Sequence, residues 1–358
     1  MYRRLTIRVE SIGNPLGDNP LLEVRNLKTH FFTEEGVARA VDEVSFTINA
    51  GEVFGLVGES GCGKTVTAHS IMGIIQPPGR KVAGEILFRG IALHEFSESQ
   101  WSHYRGEKLS MIFQDPQVRL NPVFKIGSQI AELFEIHRSI KRDEAWPLAV
   151  ELLERVGLPD PEVRAHAYAH ELSGGQAQRV MIALAIALDP DLLIADEPTT
   201  ALDATIQAQI MELLEELAEQ RLSAMLLITH DLAIMAQRAD RVAVMYAGHI
   251  LEQASVEALY AKPLHPYTQG LLDALPDPRE SGSLRSIPGT VPEAHNWPVG
   301  CRFAPRCPAR ENYGLEICEK MQPDLLEVGR GHLVRCWLYQ DGPGHEPPVS
   351  PDEPEWVW

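Results

Sequence analysis

The sequence feature that most constrains the fold is an apolar run that ends in a glycine-rich turn. The run VFGLV at residues 53–57 leads into GESGCGKT at residues 58–65, and a helix-like pattern follows. This order of strand, G-x-x-x-x-G-K-[ST] loop and helix predicts a phosphate-binding loop in an α/β fold with a buried parallel strand. A glycine-rich turn with only a structural role is the alternative, but it would not require Lys64 and Thr65.

The residue types of this loop suit the binding of a nucleoside triphosphate. Gly61 and Gly63 let successive backbone N–H groups curve towards the phosphates, and the helix N-terminus contributes a partial positive charge. Lys64 is expected to neutralise the β- and γ-phosphates, and the Thr65 hydroxyl to bind Mg²⁺. The other candidate nucleotide-binding residues of this segment are Gly58, Ser60, Cys62 and Val66.

A second apolar run ends in two adjacent carboxylates. The segment LLIADE places Asp196 and Glu197 where a strand ends, and ligands bind at the carboxyl ends of parallel strands. One carboxylate could hold Mg²⁺ through water while its neighbour polarises the attacking water, because phosphoryl transfer depends on positioning and charge neutralisation. Alone, such a run is often only a strand end before a helix cap. Together with the phosphate loop it indicates nucleotide hydrolysis.

The third motif is LSGGQ at residues 172–176, which precedes an apolar helix. Ser173 is by default an N-cap, and the N–H groups that a helix start leaves free could also grip a phosphate. Three isolated polar residues follow strand-like or helix-start segments: Gln114, Asp203 and His230. Each alone is more typical of a surface residue than of a site.

The rest of the chain predicts alternating strands and helices. Residues 22–32 and 41–48 are predicted to be strands, and residues 144–156 carry an apolar stripe at helical spacing. A second such stripe, between residues 206 and 217, lies between two apolar strands.

More than half of the 26 prolines lie from Pro263 onward, which places a domain boundary there. The last residues, 341–358, are acidic and proline-rich, a composition typical of a disordered tail, although Trp356 and Trp358 could anchor it.

Composition excludes several classes of protein. With 32 Lys and Arg against 50 Asp and Glu, the net charge is −18, which disfavours binding of nucleic acid. The longest apolar run, residues 180–188, is far shorter than the roughly 20 residues that cross a membrane. The N-terminus lacks the continuous apolar stretch of a signal peptide, so we expect a cytoplasmic location and reduced cysteines.

Taken together, GESGCGKT, Gln114, LSGGQ, LLIADE, ALD and TH resemble the nucleotide-binding domain of an ATP-binding cassette (ABC) ATPase. FQDPQVRLNP, HPYTQGLL and CRFAPRCP narrow the resemblance to ATP-binding subunits of bacterial dipeptide, oligopeptide and nickel importers. The resemblance implies an ABC-type α/β fold with a helical subdomain and a small cysteine-containing C-terminal domain. The expected organisation is an extension at 1–21, the cassette at 22–262 with its helical subdomain at about 115–190, the C-terminal domain at 263–340 and the tail.

The resemblance also implies roles for individual residues. Two cassettes pair head to tail, so that the signature residues of one would contact the γ-phosphate on the other: Ser173, Gly174, Gly175 and Gln176. Asp203 would line the dimer interface, and His230 would contact the γ-phosphate. Gln114 would sense Mg²⁺ and couple to membrane subunits. Phe31 would stack on adenine, with Phe32 as the competing choice, and Cys62 replaces a frequent serine.

The function implied is ATP hydrolysis that drives import of peptides or related small solutes at the cytoplasmic face of the bacterial inner membrane. The implied partners are a second related ATPase subunit in a heterodimer, two multi-span permeases and an extracytoplasmic solute-binding protein. The alternative is a soluble ABC ATPase acting on ribosomes or nucleic acid. Such proteins usually carry two cassettes or basic arms, and this chain has one cassette and a strong negative charge.

Four cysteines cluster late in the chain: Cys301, Cys307, Cys318 and Cys336. Their spacing lacks the short paired intervals of zinc sites, whereas iron–sulfur clusters accept looser spacings. The resemblance implies a [4Fe-4S] cluster here, which would order the C-terminal domain rather than catalyse redox chemistry. Zn²⁺ and free or partly buried thiols are the alternatives.

Overall fold

The computed structural model describes residues 19–200, 202–221, 224–275 and 286–358, and in helix α8 it leaves the side chains of residues 218–221 undescribed. Its strands form two sheets. They are β1 (Leu22–Thr33), β2 (Gly36–Ile48), β3 (Val53–Val57), β4 (Gly79–Phe88), β5 (Ile91–Ala92), β6 (Leu109–Ile112), β7 (Leu192–Asp196), β8 (Ala224–Thr229), β9 (Arg241–Tyr246), β10 (His249–Ser255), β11 (Leu326–Gly329) and β12 (His332–Val334).

The helices lie mostly between the strands of the larger sheet. They are α1 (Lys64–Ile71), α2 (Glu98–Tyr104), α3 (Pro116–Arg119), α4 (Ile126–Arg138), α5 (Arg142–Arg155), α6 (Pro161–Ala165), α7 (Gly174–Ile186), α8 (Ala204–Arg221), α9 (Leu232–Arg238), α10 (Val256–Ala261), α11 (Pro266–Asp273), α12 (Pro308–Asn312) and α13 (Ile317–Lys320).

The larger sheet has the order β11-β12-β10-β9-β3-β8-β7-β6. Strands β9, β3, β8, β7 and β6 pair in parallel, so the phosphate loop follows a central strand. The predicted runs at 53–57, 192–195 and 224–229 are all strands of this sheet, and their side chains are almost entirely buried. Continuous apolar runs form such strands because helices or a second sheet cover both faces. The predicted α/β fold class is confirmed.

Layers of apolar side chains cover the two faces of this sheet. On one face, Phe54 and Leu56 of β3 pack in a core with the antiparallel sheet of order β2-β1-β4-β5. On the other face, Val57 packs in a core that includes helices α4 to α7. These helices lie between β6 and β7, where the sequence predicts the helical subdomain.

The C-terminal residues are joined to the cassette through the same sheet and core. Strand β12 pairs with β10, so the β11–β12 hairpin extends the larger sheet, and Phe303 and Trp337 belong to its core. The chain's last residues differ from the expected disordered tail. The Trp358 indole donates a hydrogen bond to the carbonyl of Pro266, and Gln269 bonds to the tail at two backbone positions. No helix in the described part of the chain is long and apolar enough to span a membrane.

Candidate nucleotide site

The phosphate loop follows β3 and ends in the first turn of α1. Gly63 is the N-cap of α1 and has a φ of 111°, a backbone angle that residues other than glycine rarely adopt. A Cβ atom at Gly63 would lie 2.3 Å from the carbonyl oxygen of Ala40 on β2. The glycine therefore allows both the left-handed turn and the close approach of a neighbouring strand.

Lys64 folds back over its own loop. Its ammonium group donates to the carbonyls of Gly58 at 2.7 Å and Glu59 at 3.1 Å, and it lies 4.0 Å from the Glu197 carboxylate. The side chain is almost fully buried. A buried cation with few carboxylate partners is poised to accept an anion, because phosphate oxygens can replace the carbonyls that it now contacts.

A cavity of about 460 Å³ opens over this loop. Its lining consists of nine of the predicted site residues and one other residue, Ala40. They are Ser60, Gly61, Gly63, Lys64, Thr65, Val66, Gln114, Glu197 and His230. The separate motifs of the sequence thus meet at one place.

Asp196 lies behind the cavity wall with 1% of its surface exposed. The Thr65 hydroxyl donates to its carboxylate at 3.2 Å. Burial raises the pKa of Asp196 to about 6, the bond from Thr65 opposes that shift, and the charge of Glu197 adds to it. A cation placed between Thr65 and Asp196 would relieve this cost, and oxygen ligands of this kind suit Mg²⁺.

Glu197 faces the cavity from a strained backbone position. Its φ is 47°, and its N–H still donates to the Ile228 carbonyl of β8. The Thr200 hydroxyl donates to the carboxylate at 2.7 Å, and the Gln114 amide donates to it at 3.4 Å. His230, which is largely exposed, lies 3.6 Å from the same carboxylate. This carboxylate is held on several sides and remains open to the cavity.

The signature segment lies away from the cavity. Ser173 is the N-cap of α7, and its side chain and that of Gln176 form a capping box, with Ser173 Oγ accepting from the Gln176 N–H. Ser173 and Gly174 are exposed. Gly175 packs beside Ile206 of α8, and the Asp203 carboxylate caps that helix by accepting the N–H groups of Thr205 and Ile206. The signature and the Asp203 turn are thus neighbours on one surface.

The remaining predicted residues lie outside the cavity lining. Cys62 is fully buried beneath the loop. Phe31 lies on β1 opposite Ala38 and Gly79 and is half-buried. Phe32 is 38% exposed and stacks against the Arg80 guanidinium. The adenine contact of either ring stays a prediction.

Two contacts of the site were not predicted. Ala40 reaches the loop through its backbone carbonyl, for which a sequence carries no residue-type signal. Thr200 orients Glu197 through its hydroxyl, and a hydroxyl three residues beyond a strand-end carboxylate is a signal that could have identified it.

The late cysteines are free thiols, and all but the half-buried Cys307 are buried. Among the described residues, no group of three or more His, Cys, Asp or Glu side chains is arranged to hold a metal ion. The predicted iron–sulfur site therefore finds no support in this arrangement, and neither does a zinc site.

Comparison with known proteins shows which families the chain is similar to. Residues 41–200 match the family model described as ABC transporter, and residues 251–313 match the one described as oligopeptide/dipeptide transporter, C-terminal region. The chain is 49% identical over 323 residues to the oligopeptide transport ATP-binding protein AppD of Bacillus subtilis, covering 90% of this chain and 97% of that protein. It is 46% identical over 325 residues to the dipeptide transport ATP-binding protein DppD of Escherichia coli, covering 90% and 98%.

A solved structure of an ATP-binding cassette, a dimer in a post-hydrolysis state bound to ADP and Pi, is similar with a TM-score of 0.59 and 26% identity. The match covers 66% of this chain and 98% of that one.

Proposed function

Because this chain belongs to the ATP-binding subunits of the peptide ABC transporters, we propose that it hydrolyses ATP to drive the import of peptides or related small solutes. The observation that carries the proposal is the convergence of Lys64, Gln114, Glu197 and His230 on one cavity over the phosphate loop. The alternative function is that of a soluble ATPase acting on ribosomes or nucleic acid. Neither the relatives nor the net charge of −18 supports it.

The nucleotide would bind with its phosphates over the loop. Lys64 would exchange its bonds to the Gly58 and Glu59 carbonyls for bonds to the β- and γ-phosphates. The Thr65 hydroxyl and the Asp196 carboxylate, which already contact one another, would hold Mg²⁺ with help from Gln114. When bound, Mg²⁺ would offset the negative charge that develops on the phosphates.

Glu197 would then orient and polarise the attacking water. The Thr200 hydroxyl bonds to its carboxylate, and Gln114 and His230 lie near the same carboxylate. These contacts hold the carboxylate in an orientation that faces the cavity. His230 would contact the γ-phosphate from the exposed rim. Phe31 would stack on adenine, and Phe32, whose ring is occupied by Arg80, is the less suitable partner.

Replacement of Glu197 by Gln tests the assignment. The variant should lose roughly two to four decades of ATPase rate while it still binds ATP, because the amide keeps the shape but not the basicity of the carboxylate. Glu212→Gln on α8, an exposed position, is the matched control and should keep the rate. Hydrolysis near the unmodified rate in Glu197→Gln would overturn the role.

The site would be completed by a second cassette. Ser173, Gly174, Gly175 and Gln176 do not line the cavity of their own chain, and the first two are exposed. This arrangement supports a head-to-tail dimer in which they contact the partner's γ-phosphate, with Asp203 at the interface. We propose that the partner is a related but separate ATPase subunit.

The membrane partners would be two multi-span permeases, served by an extracytoplasmic solute-binding protein. The segment that follows Gln114 carries three exposed apolar side chains, Val118, Val123 and Phe124, which are 80%, 71% and 55% exposed. Exposed apolar side chains grouped in one segment favour a docking surface. The chain would therefore act at the cytoplasmic face of the inner membrane.

A [4Fe-4S] cluster on Cys301, Cys307, Cys318 and Cys336 remains part of the proposal. Burial raises the pKa of Cys307 to about 12, with the charge of Cys301 adding to it. Burial also raises the pKa of Cys318 and Cys336, and the other cysteines add to both shifts. The backbone N–H of Cys301 donates to the Cys318 carbonyl at 2.7 Å, which places these two cysteines beside one another. In such a cluster each cysteine binds a different iron, so the thiols stand farther apart than around a single zinc ion.

Anaerobic purification with iron and acid-labile sulfide analysis tests the cluster. We expect a coloured protein with iron and sulfide in equal amounts, and loss of both in Cys307→Ser. A colourless protein that contains zinc or no metal would contradict the cluster. The result leaves the ATPase assignment untouched, because that assignment rests on other residues.

A further inference from the structure

The phosphate loop is held from outside by two residues of the C-terminal region. The Arg306 guanidinium donates two hydrogen bonds to the Glu59 carboxylate, at 2.8 and 3.1 Å. The Tyr267 hydroxyl accepts the backbone N–H of Glu59 at 3.0 Å. Glu59 is the second residue of the loop, and none of the roles described above uses its side chain.

Glu59 is in addition bonded on the cavity side. Its carbonyl accepts from the Lys64 ammonium, the group expected to bind the phosphates. The side chain, N–H and carbonyl of one residue therefore connect Arg306, Tyr267 and Lys64. Because Lys64 would exchange this bond for bonds to the phosphates, a displacement of Glu59 would change the nucleotide-free arrangement to which ATP binds.

The two anchoring residues, Tyr267 and Arg306, are themselves packed against a buried aromatic cluster. Tyr267, Tyr246 and Phe303 are fully buried, and their ring centroids are 4.8 to 5.4 Å apart. Arg306 is 9% exposed, and it also donates to the Pro288 carbonyl at 2.8 Å. A guanidinium with this many fixed acceptors has little freedom, so the bidentate pair with Glu59 transmits the position of the core to the loop.

We propose that Tyr267 and Arg306 are positioning residues that hold the phosphate loop ready for ATP, so that the C-terminal region sets the ATP affinity of the cassette. The proposal rests on the proposed function, since it assumes that ATP binds at this loop. Its physical basis is preorganisation: contacts that already restrict the loop before ATP arrives reduce the ordering entropy that is lost on binding.

A structural role alone is the competing explanation, in which the same bonds only attach the C-terminal region to the cassette. The two explanations differ in what a substitution changes. Loss of an attachment lowers the unfolding temperature and leaves ATP affinity in the folded chain unchanged. Loss of a positioning contact weakens ATP binding in a chain that is still folded.

The test measures the dissociation constant for ATP with Mg²⁺ by calorimetry on the full chain. Tyr267→Phe removes only the hydroxyl, and Arg306→Gln removes the bidentate pair. We expect Tyr267→Phe to raise the dissociation constant about tenfold, which corresponds to the net contribution of one strong hydrogen bond. Arg306→Gln, which removes two charge-assisted bonds, should raise it about tenfold or more. Arg306→Lys should restore part of the affinity, because it keeps the charge but not the fork geometry.

Arg310→Gln is the matched control. Arg310 lies in the same segment and pairs with Glu319 at the surface, away from the loop. Its substitution should leave ATP affinity unchanged. Unchanged affinity in Tyr267→Phe and Arg306→Gln, or an equal loss in Arg310→Gln, would overturn the proposal, whatever the unfolding temperatures.

A fifth variant, Lys64→Ala, separates this proposal from the proposed function. Lys64→Ala should abolish ATP binding if the loop is the nucleotide site. If Lys64→Ala binds ATP normally, the proposed function fails. If it does not bind while Arg306→Gln and Tyr267→Phe bind with unchanged affinity, the function stands and the positioning role is wrong.

Discussion

Substitution of Gly63 by alanine should destabilise the chain much more than substitution of Gly61, although both glycines belong to the same loop. Gly63 has a φ of 111° and Gly61 a φ of 78°, so alanine is strained at either position. The surroundings differ. A Cβ at Gly63 would lie 2.3 Å from the Ala40 carbonyl oxygen and 2.7 Å from the end of Met245, whereas a Cβ at Gly61 would meet nothing within 4 Å.

The magnitude follows from these two contributions. A left-handed backbone costs an alanine about 1 to 2 kcal/mol, and this cost is common to both variants. The contact with Ala40 adds about 1 to 3 kcal/mol or more, because a backbone carbonyl in a paired strand cannot move aside as the end of a methionine can. Gly61→Ala should therefore lose about 1 to 2 kcal/mol of unfolding free energy, and Gly63→Ala about 2 to 5 kcal/mol or more.

Urea-induced unfolding of the nucleotide-free chain measures this difference. The urea concentration at the midpoint should decrease from the unmodified chain to Gly61→Ala and again to Gly63→Ala. The dependence of the unfolding free energy on urea concentration should keep the same slope if the variants have the same native compactness. Working without nucleotide excludes any effect of the added methyl groups on bound phosphates. Equal midpoints for the two variants would refute the reasoning, because the common backbone strain would then account for the whole effect.

Three further predictions concern other parts of the chain. Burial lowers the pKa of His265 to about 3, so on acidification this histidine takes up a proton in the unfolded chain before it does so in the folded chain. Stability should therefore fall as the pH drops from about 6.5 towards 3. His265→Asn, which keeps the N-cap acceptor, should flatten this pH dependence in thermal unfolding. ATPase activity of the purified chain should be low and should rise with protein concentration, and a concentration-independent full rate would contradict a site completed by Ser173 of a second cassette. Phe124→Ser should reduce co-purification with the permeases, whereas Val299→Ser, at an 85% exposed position, should not.

The sequence predicted the strand, loop and helix around the phosphate loop because the signals for these elements are local. The run VFGLV and the glycines that follow it determine a strand, a loop and a helix within twenty residues, and the structure has each of them. The meeting of Thr65 with Asp196 was also predictable, since parallel strands of one sheet end at the same edge. These inferences need only the type of each element and the direction of its strand.

The contacts that the sequence did not predict join positions far apart in the chain. Arg306 and Glu59 are 247 residues apart, and Tyr267 and Glu59 are 208 apart. The sequence pattern around an arginine does not indicate which carboxylate it will pair with. The pairing depends on how the β11–β12 hairpin and the segments before it pack against the cassette. The proline-rich composition after Pro263 indicated a change of structure there, but it gave no information about what that region touches.

The adjacent carboxylates show how the backbone assigns two roles to two neighbouring residues. In a continuing strand, Asp196 and Glu197 would point to opposite faces of the sheet, and only one could serve the site. The strand ends at Asp196, and Glu197 turns into the left-handed region with a φ of 47°. Asp196 therefore stays buried against Thr65, where a metal ion would offset its charge, while Glu197 reaches the cavity beside Gln114. The turn therefore leaves both carboxylates beside the phosphate loop, where the proposed nucleotide would bind.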